Sequence, residues 1–202
     1  MAFIHAAKRE LHCKIVYYGP GLGGKTTNLV WLHGRLPAAG RSDLVSLQTP
    51  GERTLYFDFL PLDVGVVHGL RTRFHLYTVP GQPIFKTTRR LVLQGADGLV
   101  FVADSDRSRL FDNRQSLDDL RENLARGGRR LEGLPLVFQF NKRDLAGCAA
   151  RGQLEQLLNA AGRPVIEAVA TRGAGVPETL RAVVSGVLAR LAEPRSAQRR
   201  PA

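Results

Sequence analysis

The chain has 202 residues, 44% hydrophobic and 23% charged, enough for one domain with a substantial apolar core. No apolar run reaches the roughly 18 residues that span a bilayer. The two cysteines, Cys13 and Cys148, are too few and too isolated for a disulfide framework or a zinc site.

The formal net charge is +11, which raises nucleic acid and membrane surfaces as partners. The excess is spread evenly, with 12 Lys and Arg against 6 Asp and Glu in residues 1–100 and 17 against 12 in residues 101–202. No lysine-rich helix or interleaved aromatic stripe accompanies it, so no dedicated nucleic-acid site is expected. Solvated faces and an acidic protein partner are expected instead. The N-terminus has no basic region followed by a long apolar stretch, and no myristoylation glycine or prenylation cysteine is written. A cytoplasmic protein with at most peripheral membrane association is the expectation.

In chain order, residues 14–18 (KIVYY) read as a strand running into a glycine-rich loop, and a helix begins near residues 26–33. Residues 55–60 (LYFDFL) and 73–79 (RFHLYTV) read as two strands joined by a turn at 64–69, an antiparallel hairpin. Residues 98–103 (GLVFVA) and 136–140 (LVFQF) are near-continuous apolar runs, as in strands buried on both faces, with a helix at 117–124 between them. A short strand is read at 165–169. Leu180, Val183, Val184, Val187, Leu188 and Leu191 then recur at helical spacing behind Pro177 and Glu178, which suit a helix opening. Alternating strands and helices give an α/β fold with a mostly parallel central sheet and helices on both faces, and sites in such sheets lie at the C-terminal strand ends. Residues 1–192 form the expected domain. The Pro/Arg/Ser/Gln-rich residues 193–202 read as a disordered basic tail. Residues 34–54 lack apolar periodicity and are too long for an ordinary connection, which marks a functional loop.

Residues 19–26 (GPGLGGKT) form a complete phosphate-binding loop, G-x₄-G-K-T, placed between a strand and a helix. Gly19, Gly21, Leu22, Gly23 and Gly24 let backbone N–H groups turn inward on phosphate oxygens, and the helix N-terminus adds its positive end with Thr27 following. Lys25 is placed to reach the β- and γ-phosphates, and the Thr26 hydroxyl to bind Mg²⁺. Residues 141–144 (NKRD) follow a buried strand and match the guanine motif of GTPases. There the Asp144 carboxylate would accept from guanine N1–H and the exocyclic amine, a donor pair that adenine lacks. Asn141 would brace the loop, and the Lys142 stem would pack over the ring.

Residues 78–82 (TVPGQ) resemble the D-x-x-G-Q segment of Ras-like proteins, with Thr78 in place of the acidic Mg²⁺-linked residue. Gly81 would turn its N–H to the γ-phosphate, and Gln82 would orient the attacking water. Asp58 on the adjacent strand, in preference to Asp63, is a candidate to replace the missing acid. Thr54 is expected to close over Mg²⁺ and γ-phosphate, which leaves Thr26 and Thr54 as the metal ligands. Arg53 beside it is a candidate arginine finger supplied in cis. With Lys25 and Gly21, Arg53 and Gln82 complete the expected catalytic set. Residues 167–171 (EAVAT) stand where Ras-like proteins carry E-x-S-A-K, and the Ala170 N–H would meet guanine O6.

Together the segments KIVYYGPGLGGKTTNL, ERTLYFDFLPLD, RFHLYTVPGQ, DGLVFVADS and NKRDL resemble the MglA family of bacterial Ras-like P-loop GTPases over residues 8–192. The TVPGQ segment is typical of that family. The resemblance implies a Ras-like G domain and a GTP/GDP switch of cell polarity or gliding motility, concentrated at a cell pole. It also implies effectors bound in the GTP state, a Roadblock-type (MglB-like) activating homodimer and a second strand that moves between nucleotide states. A GTP-binding scaffold with negligible hydrolysis is the competing expectation.

Overall fold

The computed structural model describes residues 2–5, 8–35, 43–46, 58–67, 69–81, 85–158 and 162–192. The expected basic tail and three expected site residues, Arg53, Thr54 and Gln82, lie outside them.

Among the described residues eight strands form one sheet: β1 (Phe3–His5), β2 (Glu10–Tyr18), β3 (Val45–Ser46), β4 (Asp58–Val67), β5 (Leu70–Thr78), β6 (Gly98–Asp104), β7 (Leu136–Asn141) and β8 (Val165–Glu167). Their order is β3-β4-β5-β2-β6-β7-β8, with β1 paired to β2. Strands β5, β2, β6, β7 and β8 run parallel, while β3, β4 and β1 are antiparallel to their partners. The described residues also form the α-helices α1 (Lys25–Arg35), α2 (Lys86–Leu93), α3 (Leu110–Arg126), α4 (Arg151–Leu158) and α5 (Val176–Ala192), the last following β8.

The period of two along the central strands divides the core into two layers. On one face Cys13, Ile15, Tyr17, Val100, Val102 and Val137 pack with Leu29 and Leu32 of α1 and Val183 and Val187 of α5. On the other, Val16, Tyr18, Leu99, Phe101, Phe138 and Phe140 meet α2, α3 and α4 through Val92, Leu117, Leu120 and Leu154. At Gly98 α5 packs close to the sheet, since a Cβ there would stand 2.6 Å from Val187 Cγ2.

The β4–β5 hairpin is antiparallel, as the sequence suggests, but its turn is tighter than 64–69. Pairing continues to Val66↔Arg71 and Val67↔Leu70 past an irregularity between Asp63 and Val66. Gly65, at φ +85°, supplies the backbone freedom for it. Strand β2 starts four residues earlier than expected, because Glu10–Lys14 pair with β5 along its full length. The last strand ends at Glu167, and Val169 instead bridges to Ala174.

Candidate functional site

The phosphate loop joins the end of β2 to α1 at the C-terminal edge of the parallel strands. Its conformation admits little but glycine at two positions. Gly19 has φ +141° with a hypothetical Cβ 2.1 Å from Val102 O, and Gly24 has φ +98° with one 2.1 Å from Asn141 Nδ2. Gly81 approaches from the end of β5, where a Cβ would lie 2.3 Å from Gly21 N. The TVPGQ segment therefore touches the phosphate loop backbone to backbone. Leu22 is exposed at φ +62°, at the rim of the loop.

Lys25 is buried, and its Nζ donates to Gly19 O at 2.9 Å and Pro20 O at 2.7 Å. Burial, and then the Arg89 guanidinium, bring its ammonium down to about 7, with Asp58 acting the other way. A phosphate beside it would restore the charged form. Arg89 is itself buried, donating to Asp119 at 2.8 Å and to Pro80 O at 3.3 Å, which fixes the start of α2 beside the TVPGQ segment.

Asp58 fills the place that Thr78 leaves without an acid. Its Oδ2 accepts from Thr26 Oγ1 at 2.6 Å and from Thr78 Oγ1 at 2.8 Å, while its own N–H donates to Thr78 Oγ1 at 2.8 Å. Asp63 serves elsewhere. It lies on the opposite face of β4, with Gly65 N–H and Arg71 Nε donating to it at 2.9 and 2.6 Å.

The Thr26 hydroxyl and the Asp58 carboxylate are oxygen groups of the kind a hard divalent cation takes. Among the described residues no group of three or more His, Cys, Asp or Glu could hold a metal.

The NKRD segment turns off the end of β7. Asn141 joins three parts of the site: its Nδ2 donates to Gly23 O at 2.9 Å, and its Oδ1 accepts the Ala170 N–H at 2.9 Å. The Ala170 amide expected at guanine O6 is thus engaged by Asn141. Lys142 takes φ +65°, a left-handed conformation uncommon for a residue with a long side chain. Two contacts hold it there: its Nζ meets the buried Asp104 carboxylate at 2.6 Å, and Cys148 Sγ donates to its carbonyl at 3.2 Å. Arg143 is tied to Glu167 at 2.9 Å and to Ala149 O at 2.7 Å. Asp144 is left at the surface, 4.0 Å from Arg172.

Several supporting residues escape the motif reading. Asn28 and Gln139 exchange amide hydrogen bonds at 2.9 and 2.8 Å beneath the site, and Gln139 also donates to Thr179 at 2.9 Å. This buried network joins α1, β7 and α5. Arg109, just before α3, donates to Gly21 O at 2.9 Å and pairs with Asp112 at 2.7 Å. Neither carries a spacing signal. Asn28, Asp104 and Gln139 lie inside stretches the sequence singles out (KIVYYGPGLGGKTTNL, DGLVFVADS and LVFQF), but nothing in those stretches marks their contacts.

Residues 2–187 match the model of the ADP-ribosylation factor family. The chain belongs to that family of Ras-like GTPases. It is 50% identical over 191 residues to the mutual gliding-motility protein MglA of Myxococcus xanthus (strain DK1622), covering 95% of this chain and 98% of that one. It is 25% identical over 153 residues to ADP-ribosylation factor-like protein 2 of Arabidopsis thaliana, covering 75% of this chain and 71% of that protein. With ADP-ribosylation factor-like protein 1 of Caenorhabditis elegans it shares 25% identity over 145 residues, 71% of this chain and 77% of that protein. The resemblance read from the motifs and the α/β fold are both borne out, and the protein is a GTP-binding switch with GTPase activity. Among the described residues no helix is long and apolar enough to cross a membrane.

Proposed function

We propose that residues 1–192 act as one G domain that controls gliding motility or cell polarity in the cytoplasm, at a cell pole. Effectors would bind its GTP form, and a Roadblock-type homodimer would stimulate hydrolysis. The observation that carries the nucleotide assignment is Asn141, whose side chain meets Gly23 of the phosphate loop and Ala170 of the EAVAT loop. Phosphate-binding and base-reading loops are thereby held as one unit, as a ligand spanning both requires.

In this reading the loop at residues 19–26 cradles the β- and γ-phosphates, and Lys25 offsets their charge. Thr26 and Thr54 would hold a Mg²⁺, which would supply positive charge against the phosphate oxygens. Asp58 orients the Thr26 hydroxyl from behind. Gly81 presents its N–H to the γ-phosphate, and Gln82 orients a water against the γ-phosphorus. As the new P–O bond forms, the bond to the β-phosphate oxygen breaks, leaving GDP and inorganic phosphate. Arg53 neutralises charge developing on the leaving oxygen. Lys142 and Asp144 line the base site.

The relative's motility name and the 50% identity support the cellular role. The test is turnover of GTP and ATP by purified protein, alone and with a Roadblock-type homodimer. Stimulated GTP turnover that is lost in Gln82→Ala and Arg53→Ala supports the reading. Undetectable stimulated turnover, unchanged in Gln82→Ala, would favour the scaffold instead.

A further inference from the structure

Part of the basic excess gathers away from the nucleotide loops. Where α2 and α3 end, a cleft of about 320 Å³ is lined by Arg90, Arg126, Arg129, Asn123, Leu93 and Leu124. Among the described residues, no acidic side chain lines it.

Two of the three arginines have an ordinary reason to be there. Arg90 and Arg126 occupy the last turns of their helices, where a cation complements the negative end of the macrodipole. Arg126 also pairs with Glu122 at 2.6 Å, a carboxylate shared with Lys86.

Arg129 has neither reason. It lies beyond α3, its backbone N–H donating to Leu124 O at 2.9 Å, and its Nη1 is buried with no hydrogen-bond partner among the described residues. Burial lowers its pKa first, Asp97 opposes that, and Arg190 adds to it. Asn123 beside it is 2% exposed. Its Nδ2 donates to Asp119 and to Tyr18 Oη, but its Oδ1 has no partner. An unmet guanidinium donor and an unmet amide acceptor thus lie at one cleft, and buried polar groups are rarely left so.

We propose that this cleft binds a phosphomonoester. A carboxylate presents two oxygens, whereas a phosphomonoester presents three terminal oxygens and up to two charges, which suits a cleft lined by three arginines. A hydroxyl neighbouring the phosphate in the same ligand supplies the donor that Asn123 Oδ1 lacks. A soluble phosphorylated metabolite and a phosphorylated lipid headgroup share this chemistry.

The test uses full-length protein saturated with GDP and Mg²⁺, so that the phosphate loop is already filled. Glycerol 2-phosphate is titrated while backbone amides are followed by NMR. Flotation is measured with phosphatidylcholine vesicles, with and without phosphatidylinositol 4-phosphate. Saturable shifts are expected at Gly95 and at residues 127–129. Arg129→Gln should weaken binding about tenfold or more, the effect of deleting a charged donor. Arg181→Gln, which removes an exposed charge from α5, should leave it unchanged. Binding of glycerol 2-phosphate without flotation identifies a soluble ligand, and flotation that needs the phosphoinositide and Arg129 identifies a headgroup. If Arg129→Gln fails to fold, the Arg90→Gln/Arg126→Gln double variant answers the same question. Absence of both saturable shifts and phosphoinositide-dependent flotation overturns the proposal, as does equal weakening by Arg181→Gln.

Discussion

The Asp58 carboxylate accepts the Thr26 hydroxyl at 2.6 Å, so an acid on β4 reaches the phosphate loop across β5. Thr78, where Ras-like proteins carry the acid, instead hydrogen-bonds that carboxylate at 2.8 Å. The charge has moved by one strand and is secured by the residue that replaced it. Asp58 opens β4, so any sliding of β4 would move this acid relative to Thr26.

Replacing Asp58 by Asn should therefore weaken the Mg²⁺-dependent part of nucleotide affinity. A charge-assisted hydrogen bond contributes about 1.5–3 kcal/mol, so the loss should be roughly 10- to 150-fold. GDP release measured by a fluorescent analogue, with and without EDTA, isolates this part. The parent should speed its release sharply when Mg²⁺ is removed, and Asp58→Asn should respond much less. An unchanged response to EDTA would assign Asp58 a structural role only.

Asp144→Asn should exchange the base preference. Guanine offers two donors to the carboxylate. An amide offers one donor and one acceptor, which suits xanthine, whose C2 position carries a carbonyl. GDP affinity should drop on the order of 100-fold, and xanthosine diphosphate should bind better than to the parent. Competition binding with both nucleotides reads this directly, and parallel losses for both would contradict it.

Gly24→Ala combines two penalties: a left-handed φ of +98° and a Cβ 2.1 Å from the Asn141 amide. Backbone strain of this kind costs about 1–3 kcal/mol. In a chain of this size the melting midpoint should fall by roughly 2–12 °C. Displacing Asn141 should also remove measurable nucleotide binding. A variant that melts like the parent and still binds GDP would show that the two loops are not mechanically joined.

On the exposed side of β2 and β5, His75 stacks between His12 and Phe59, with ring centroids 5.1 and 5.6 Å away. Its pKa lies below the ordinary 6.5, through burial first and then the charges of His12, Arg73 and Lys14. Glu10 also faces this group, bonded to His12 at 3.1 Å, while Asp63 on β4 is taken by Arg71 and Arg73. Between the lowered value and 6.5 the unfolded chain binds more protons than the folded one, so stability rises with pH there. The contribution is complete above pH 6.5 and is lost as pH falls through the folded value. Melting midpoints from pH 5 to 8 should fall more steeply on the acid side in the parent than in His75→Phe. Parallel curves would refute the assignment.

The legible parts of the fold are those whose physics is local. The KIVYY and GLVFVA runs announce buried parallel strands, and the loop at residues 19–26 is its own signature. Helix α2 is weakly announced: KTTRRLVL is short and has β-branched threonines at its start, and Val92 and Leu93 pack it onto the core. The short β1 is silent, since it forms only by adding to β2. At the site, residue types at fixed spacing identify Lys25, Thr26, Asn141 and Asp144. Asp104, Arg109 and Gln139 act through contacts between residues 38 to 111 positions apart, which no spacing encodes. Asp58 stands between these cases. Its residue type and strand raise it as a candidate, and the register of β4 against β5 then brings it to Thr26 and Thr78.

The account's central claim is that the NKRD loop and the phosphate loop form one guanine-nucleotide site through Asn141. The most direct test is equilibrium competition of GDP and ADP against a fluorescent guanine nucleotide, on the parent and on Asn141→Ala. GDP should compete far better than ADP with the parent, and Asn141→Ala should lose affinity for GDP. Equal competition by ADP, or full GDP affinity in Asn141→Ala, would contradict it.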